Sequence, residues 1–167
     1  MPSILLAAMA VFTYTITIGI LNGIDAIEFD QRRILGHVHG GTLGWLTLAV
    51  FAASLWLFGE GKPLTQRERM FARWLAVGAI VAFAAYVLAF SLTYGNWRPV
   101  LGTISTIVIA GQFLWVLARA RGVELGVPHW GFLAALGTSI VGGILGILWG
   151  LQLATGDKYL PTDGEGA

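Results

Sequence analysis

The chain has 167 residues, of which 56% are hydrophobic and 11% charged, with a net charge of +1. A soluble domain carries about 25% charged residues, and a chain this close to neutral offers no electrostatic footprint for nucleic acid. Cysteine is absent, which excludes disulfides, thiolate metal sites and cysteine nucleophiles.

All ten Lys and Arg and all nine Asp and Glu fall outside five apolar segments, 3–24, 36–58, 74–94, 99–118 and 130–154. A helix needs about 20 apolar residues to cross a bilayer, and a charge at its centre costs several kcal/mol. The expected fold is therefore all-α, an integral membrane bundle of about five transmembrane helices over residues 1–154, followed by a polar tail, 155–167.

In chain order, the first segment is apolar from its second residue, lacks a basic leader and is too long for a signal-peptide core, so it reads as a retained span. Gly19 and Gly23 share one of its faces. The second carries Gly36, Gly40 and Gly44 on one face, with His37, His39 and Trp45 among them. Trp45 is expected to be buried by its position in the span. The third opens at Trp74, an interfacial anchor like Trp97 and Trp130. In the connection Gly95-Asn96-Trp97-Arg98-Pro99, Pro99 is placed as a first-turn proline of the fourth helix. Gln112, near the middle of that helix, needs a hydrogen-bond partner in a medium that supplies none; interhelical glue and contact with a ligand or quinone are its two readings. The fifth follows His129, which reads as a loop or interfacial residue, and repeats Gly142, Gly146 and Gly150 every four residues. Small residues at this spacing let helices approach closely in lipid, or leave a groove for a flat cofactor or a partner subunit.

Lys and Arg in the short loops divide six against four in favour of a cytoplasmic N-terminus and an external C-terminus. This puts His37 and His39 at the outer end of the second helix. A two-residue step on a helix is about 200°, so the two imidazoles point to opposite faces and cannot chelate one ion within a regular helix. His37 shares its face with Gly40, Gly41, Gly44 and Leu48, and is expected to look onto the glycine groove. His39 shares its face with Leu43, Leu46 and Val50. Either histidine is a candidate metal ligand, since an ionisable side chain in a span marks a functional site by default; the alternative is two interfacial histidines bonded to water.

The run Arg33-Ile-Leu-Gly-His37-Val-His39-Gly40-Gly41-Thr-Leu43-Gly44-Trp45 resembles the His-x-His-x3-Leu-Gly-Trp signature of small membrane proteins related to the catalytic subunit of heme-copper oxidases and nitric oxide reductases (cytochrome c oxidase subunit I-like). The resemblance covers Arg33 to Trp45. It implies a heme, with His37 or His39 as axial ligand, Arg33 pairing with a propionate, and Gly40, Gly41, Gly44 and Trp45 beside it. It also implies a respiratory-chain setting, in the bacterial inner membrane, with a role in electron transfer, heme handling or gas sensing. The chain lacks the further histidines that the catalytic subunit uses for its second heme and copper, so a complete oxidase is not expected. A second axial ligand would have to come from the other histidine after distortion, from another subunit, or from a weak donor such as Met9. The competing expectation is a non-enzymatic accessory subunit of a respiratory or photosynthetic complex, held by its glycine faces. A homo-oligomer or a larger membrane complex fits either. A transporter is disfavoured, because no span contains a charge or a paired break.

Overall fold

A computed structural model describes residues 2–59, 63–92 and 97–161. Its elements are α1 (Pro2–Gly23), α2 (Gln31–His39), a π-helical segment (Gly40–Leu46), α3 (Thr47–Leu57), α4 (Gln66–Leu92), α5 (Trp97–Ala120) and α6 (Val127–Thr155). The π segment joins α2 and α3 into one continuous rod, Gln31–Leu57, so five helices are long and apolar enough to cross a membrane. The protein is an all-α bundle of the membrane-spanning kind.

The helices begin earlier than the apolar windows because polar residues cap them. Asp30 accepts a hydrogen bond from the Arg33 amide at 3.0 Å, starting the second span at Gln31 instead of residue 36. Thr65 and Glu68 form a reciprocal box. The Glu68 carboxylate accepts from the Thr65 amide at 2.8 Å, and the Thr65 hydroxyl accepts from the Glu68 amide at 3.3 Å. That pairing satisfies two amides with no partner inside the helix, and the third span starts at Gln66 instead of 74. The expected end of that span at residue 94, and the first part of the Gly95-to-Pro99 connection, lie outside the described residues. Pro99 falls in the first turn of α5 and Pro128 in the first turn of α6. Gly156 closes α6 with φ +78°, a conformation that costs glycine little. Beyond it, the amides of Tyr159 and Leu160 donate to the Gln152 side chain at 3.1 and 3.0 Å, folding that part of the tail back on the helix end.

Around the bundle, α1 packs on the π segment and α3, α2 packs on α4, α4 on α5, and α5 on α6. One core cluster joins Ile4, Ala8, Leu48, Phe51, Ala79 and Phe83. A second joins Phe58, Ala72, Trp115, Val116, Leu133 and Leu136. The second cluster includes α6; the first is met by α6 only at its margin, through Ile140. Accordingly α6 approaches α3 but makes no close backbone approach to α2 or the π segment. The bundle is closed at the end that carries Phe58, Glu68 and Arg119, and parted at the end that carries His39 and Arg98.

Close packing follows the small residues, as expected where lipid tails are as apolar as the side chains they meet. The glycines of the second span are filled by neighbours: a methyl at Gly36 would strike Ser91, one at Gly40 would meet Thr15, and one at Gly44 would strike Val11. The groove expected beside His37 is thus a helix seam occupied by α1 and α4, and is not free for a cofactor plane. On α6 the glycines that pack are Gly143, against Thr106, and Gly150, against Pro99, whereas Gly142 and Gly146 meet nothing within 4 Å.

The closed end is held by Arg119, 1% exposed. Its Nε donates to the Phe58 carbonyl at 2.9 Å and its Nη1 lies 3.4 Å from Glu68 Oε1. Two predictions follow from this packing. Gly44→Ala should cost roughly 1–3 kcal/mol through overpacking, whereas Gly142→Ala should stay within about 0.5 kcal/mol of the parent, read as thermal unfolding of the detergent-purified protein. Arg119→Met, which strands the Phe58 carbonyl, should cost about 1–3 kcal/mol by the same measurement, with a visibly smaller drop for Glu68→Gln.

Candidate functional site

The parted end of the bundle forms a cleft whose walls are α2 and the π segment on one side and α6 on the other, with α4 and α5 as its floor. It holds two cavities of about 380 and 390 Å³. They meet at His39, Tyr86, Gly102, Gly146 and Ile147, which line both. The first runs toward the middle of the bundle past Thr42, Leu46, Ser105 and Ser139. The second runs to the helix ends past Gln31, Phe90, Arg98 and Trp149.

His39 is held from three directions. Its Nδ1 lies 2.8 Å from the Leu35 carbonyl. A carbonyl oxygen can only accept, so Nδ1 carries the proton and Nε2 is left with its lone pair. Nε2 has no hydrogen bond among the described residues. The ring stacks on Phe90 with centroids 3.8 Å apart and planes 17° from parallel, and meets the edge of Tyr86 at 5.5 Å. On Phe90 in turn lies the Arg98 guanidinium, 4.6 Å from the ring centroid, a cation–π contact. Arg98, Phe90 and His39 therefore form a column with the charge at the cleft mouth and the imidazole in the cleft.

The hydroxyls of the inner cavity are mostly satisfied within their own helices. Thr42 donates to the Val38 carbonyl at 3.0 Å, Thr47 to Thr42 at 2.9 Å, Thr106 to Gly102 at 2.9 Å and Ser139 to Ala135 at 2.7 Å. Ser105 is the exception: 2% exposed, with no partner for its Oγ. The π segment coincides with this wall. The amide of Thr47 reaches back five residues to the Thr42 carbonyl, and its hydroxyl shares that oxygen. Such bulges recur at functional sites.

Of the residues that the resemblance placed beside a heme, His39 alone lines the cleft. His37 lies on the opposite side of α2, as the helical geometry requires, with its ring against Gly19 of α1 and its Nδ1 without a partner. Gly40, Gly41 and Gly44 face Thr15 and Val11 of α1. Trp45, expected to be buried, is half-buried and packs on Phe12 at 4.5 Å, also on the α1 side. Arg33 points its guanidinium at Phe29, 5.9 Å away; the arginine at the cleft mouth is Arg98. His37 is thus the histidine of the α1 seam and His39 the histidine of the open groove, the reverse of the expected assignment of grooves. Leu43 and Leu46 line the cavity with His39 as expected, but Val50 packs instead against the second core cluster.

Gln112 does not line the cleft. Its amide donates to Ser54 and, at 3.4 Å, to the Phe51 carbonyl, joining α5 to α3. His129 accepts from the Gly126 amide at 3.1 Å and sets its ring edge on Phe58, as a local cap. No group of three or more His, Asp or Glu converges among the described residues. Tyr86, Phe90, Arg98 and Ser105 are the site residues that sequence reasoning passed over. The Gly142–Gly146 repeat was a visible signal, but its partner wall was not.

No protein-family model matches the chain, and no curated protein and no solved structure matches it.

Proposed function

We propose that the protein binds heme in this cleft, with His39 as the axial ligand. The observation that carries the reading is the state of the imidazole. Metal-ligating histidines characteristically give their second ring N–H to a carbonyl or carboxylate, which fixes the tautomer and the ring orientation. His39 already makes that bond to Leu35 and lines the outer cavity of about 390 Å³. The opposite wall of the outer cavity carries Gly146, where an added side chain would meet nothing within 4 Å, and so admits a flat macrocycle. Arg98 stands where the propionates of such a group would emerge, taking the part the resemblance gave to Arg33. Heme would supply a redox-active, gas-binding iron. His37 and Met9 do not line the cleft, so no second axial histidine or methionine is offered by the described residues. That favours gas binding or heme handling over a bis-histidine electron carrier, and it argues against a complete oxidase.

A second reading, an accessory subunit of a larger membrane complex, is favoured by one observation. Gly142 and Gly146 leave a small-xxx-small face without a partner, the kind of surface on which another helix packs. Co-purification with larger subunits, lost in a Gly146→Leu variant, would support it.

The heme reading is tested by titrating hemin into the purified protein. A Soret band should develop in the parent and in His37→Ala. It should be absent in His39→Gly, return on adding imidazole, and be absent in Gly146→Leu, whose added side chain occupies the cleft. A band that survives loss of His39 and vanishes with His37 would overturn the assignment; no band in any variant would overturn the function.

A further inference from the structure

The inner cavity contains a second, separate chemistry. Each hydroxyl buried in a helix has a local outlet, a carbonyl three to five residues back, and Thr42, Thr47, Thr106 and Ser139 all use it. Ser105 does not, although it is almost wholly buried and lines the cavity. A buried donor without an acceptor costs about 1–3 kcal/mol in an apolar medium, so its persistence points to an acceptor supplied from outside the chain. Tyr86 reinforces this. It lies across α5 one turn from Ser105, with its ring edge 3.2 Å and its hydroxyl 3.6 Å from the position a Cβ would take on Gly102. Its hydroxyl has no hydrogen-bond partner among the described residues, and it lines the same cavity. Two residues whose hydroxyls have no partner among the described residues thus line one cavity. The other hydroxyls there already spend their protons on carbonyls.

We infer that the inner cavity binds a flat, lipid-soluble molecule through a carbonyl oxygen that accepts from Ser105 and Tyr86, with a quinone ring as the chemical type. The surroundings fit a ring more closely than an acyl chain. Gly102, Gly142 and Gly143 thin the walls on two sides, and Ile109 and Ile147 supply apolar faces. A phospholipid ester is a poor source of the carbonyl, because Ser105 lies six residues past Pro99, roughly 9 Å further along the helix at 1.5 Å per residue, below the headgroup level. The inference does not depend on iron at His39, since both donors belong to α4 and α5 and act on the inner side of that ring.

The probe is menadione carrying ¹³C at its carbonyls, added without reductant to heme-free protein in nanodiscs, with empty nanodiscs as reference. Binding is read by calorimetry and the hydrogen bond by the infrared carbonyl stretch. The parent should bind menadione more tightly than 2-methylnaphthalene, which has the same ring size and no carbonyl, and the bound carbonyl should absorb at lower frequency than in empty nanodiscs. Ser105→Ala and Tyr86→Phe should each weaken binding about three- to tenfold and reduce the frequency shift. If one variant fails to fold, the other carries the same test. Equal affinity for the two probes, or an unshifted carbonyl in the parent, would overturn the inference and leave the cavity as a place for lipid chains. Failure of the heme reading would appear separately, as a missing Soret band, while this titration stood.

Discussion

One buried guanidinium sets the form of the bundle. Arg119 reaches from α5 to the carbonyl of Phe58, which caps the end of α3, and to the carboxylate that caps α4, so three helices are tied at one end through one almost wholly buried guanidinium. Phe58, Trp115 and Leu133 pack around that tie and bring α6 in with them. Among the described residues nothing comparable holds α6 to α2 at the opposite end. The helices therefore diverge from a fixed base, and the cleft is the space this divergence leaves.

Within that space the chain places its polar atoms unevenly. Most hydroxyls are neutralised by their own helix backbone, so the walls present themselves as apolar. Among the described residues the exceptions are few: the Nε2 of His39 and the hydroxyls of Tyr86 and Ser105. The column of Arg98 on Phe90 on His39 couples the mouth to the centre, which fixes the imidazole plane more firmly than one hydrogen bond would.

The five spans were legible because charges avoid hydrocarbon whatever the tertiary structure, and Arg98 and Arg119 mark helix ends in both the sequence and the structure. Helix starts were less legible. Asp30 and Thr65 extend the second and third helices through residues that are polar and so invisible to a hydropathy window. The opposition of His37 and His39 followed from helical geometry alone and holds. Which of them meets an open groove did not follow, because that depends on whether Val11 and Thr15 fill the glycines of α2, a fact about a neighbouring helix. The π segment adds a further reason: a turn wider than the α turn shifts the phase of everything after it, so Val50 leaves the face that a constant 100° step assigns to it. The unpartnered hydroxyl of Ser105 is likewise beyond sequence, since whether a helical hydroxyl bonds back to its own backbone depends on what surrounds it.

The absence of contact between α6 and α2 also determines where a ligand comes from. A cleft between two spans can be filled from the hydrocarbon phase, while its outer end lies at the helix ends beside Gln31 and Arg98. Its filling is governed by how strongly a molecule partitions into the bilayer, at about 0.8 kcal/mol per methylene transferred, before any contact with the protein is made. A weak intrinsic affinity then suffices for high occupancy by apolar molecules, while charged metabolites of the same shape are kept out without any side chain having to reject them. On the proposed reading, selectivity would be divided between the membrane, which chooses by solubility, and a few atoms around His39 and Ser105, which would choose by hydrogen bonding.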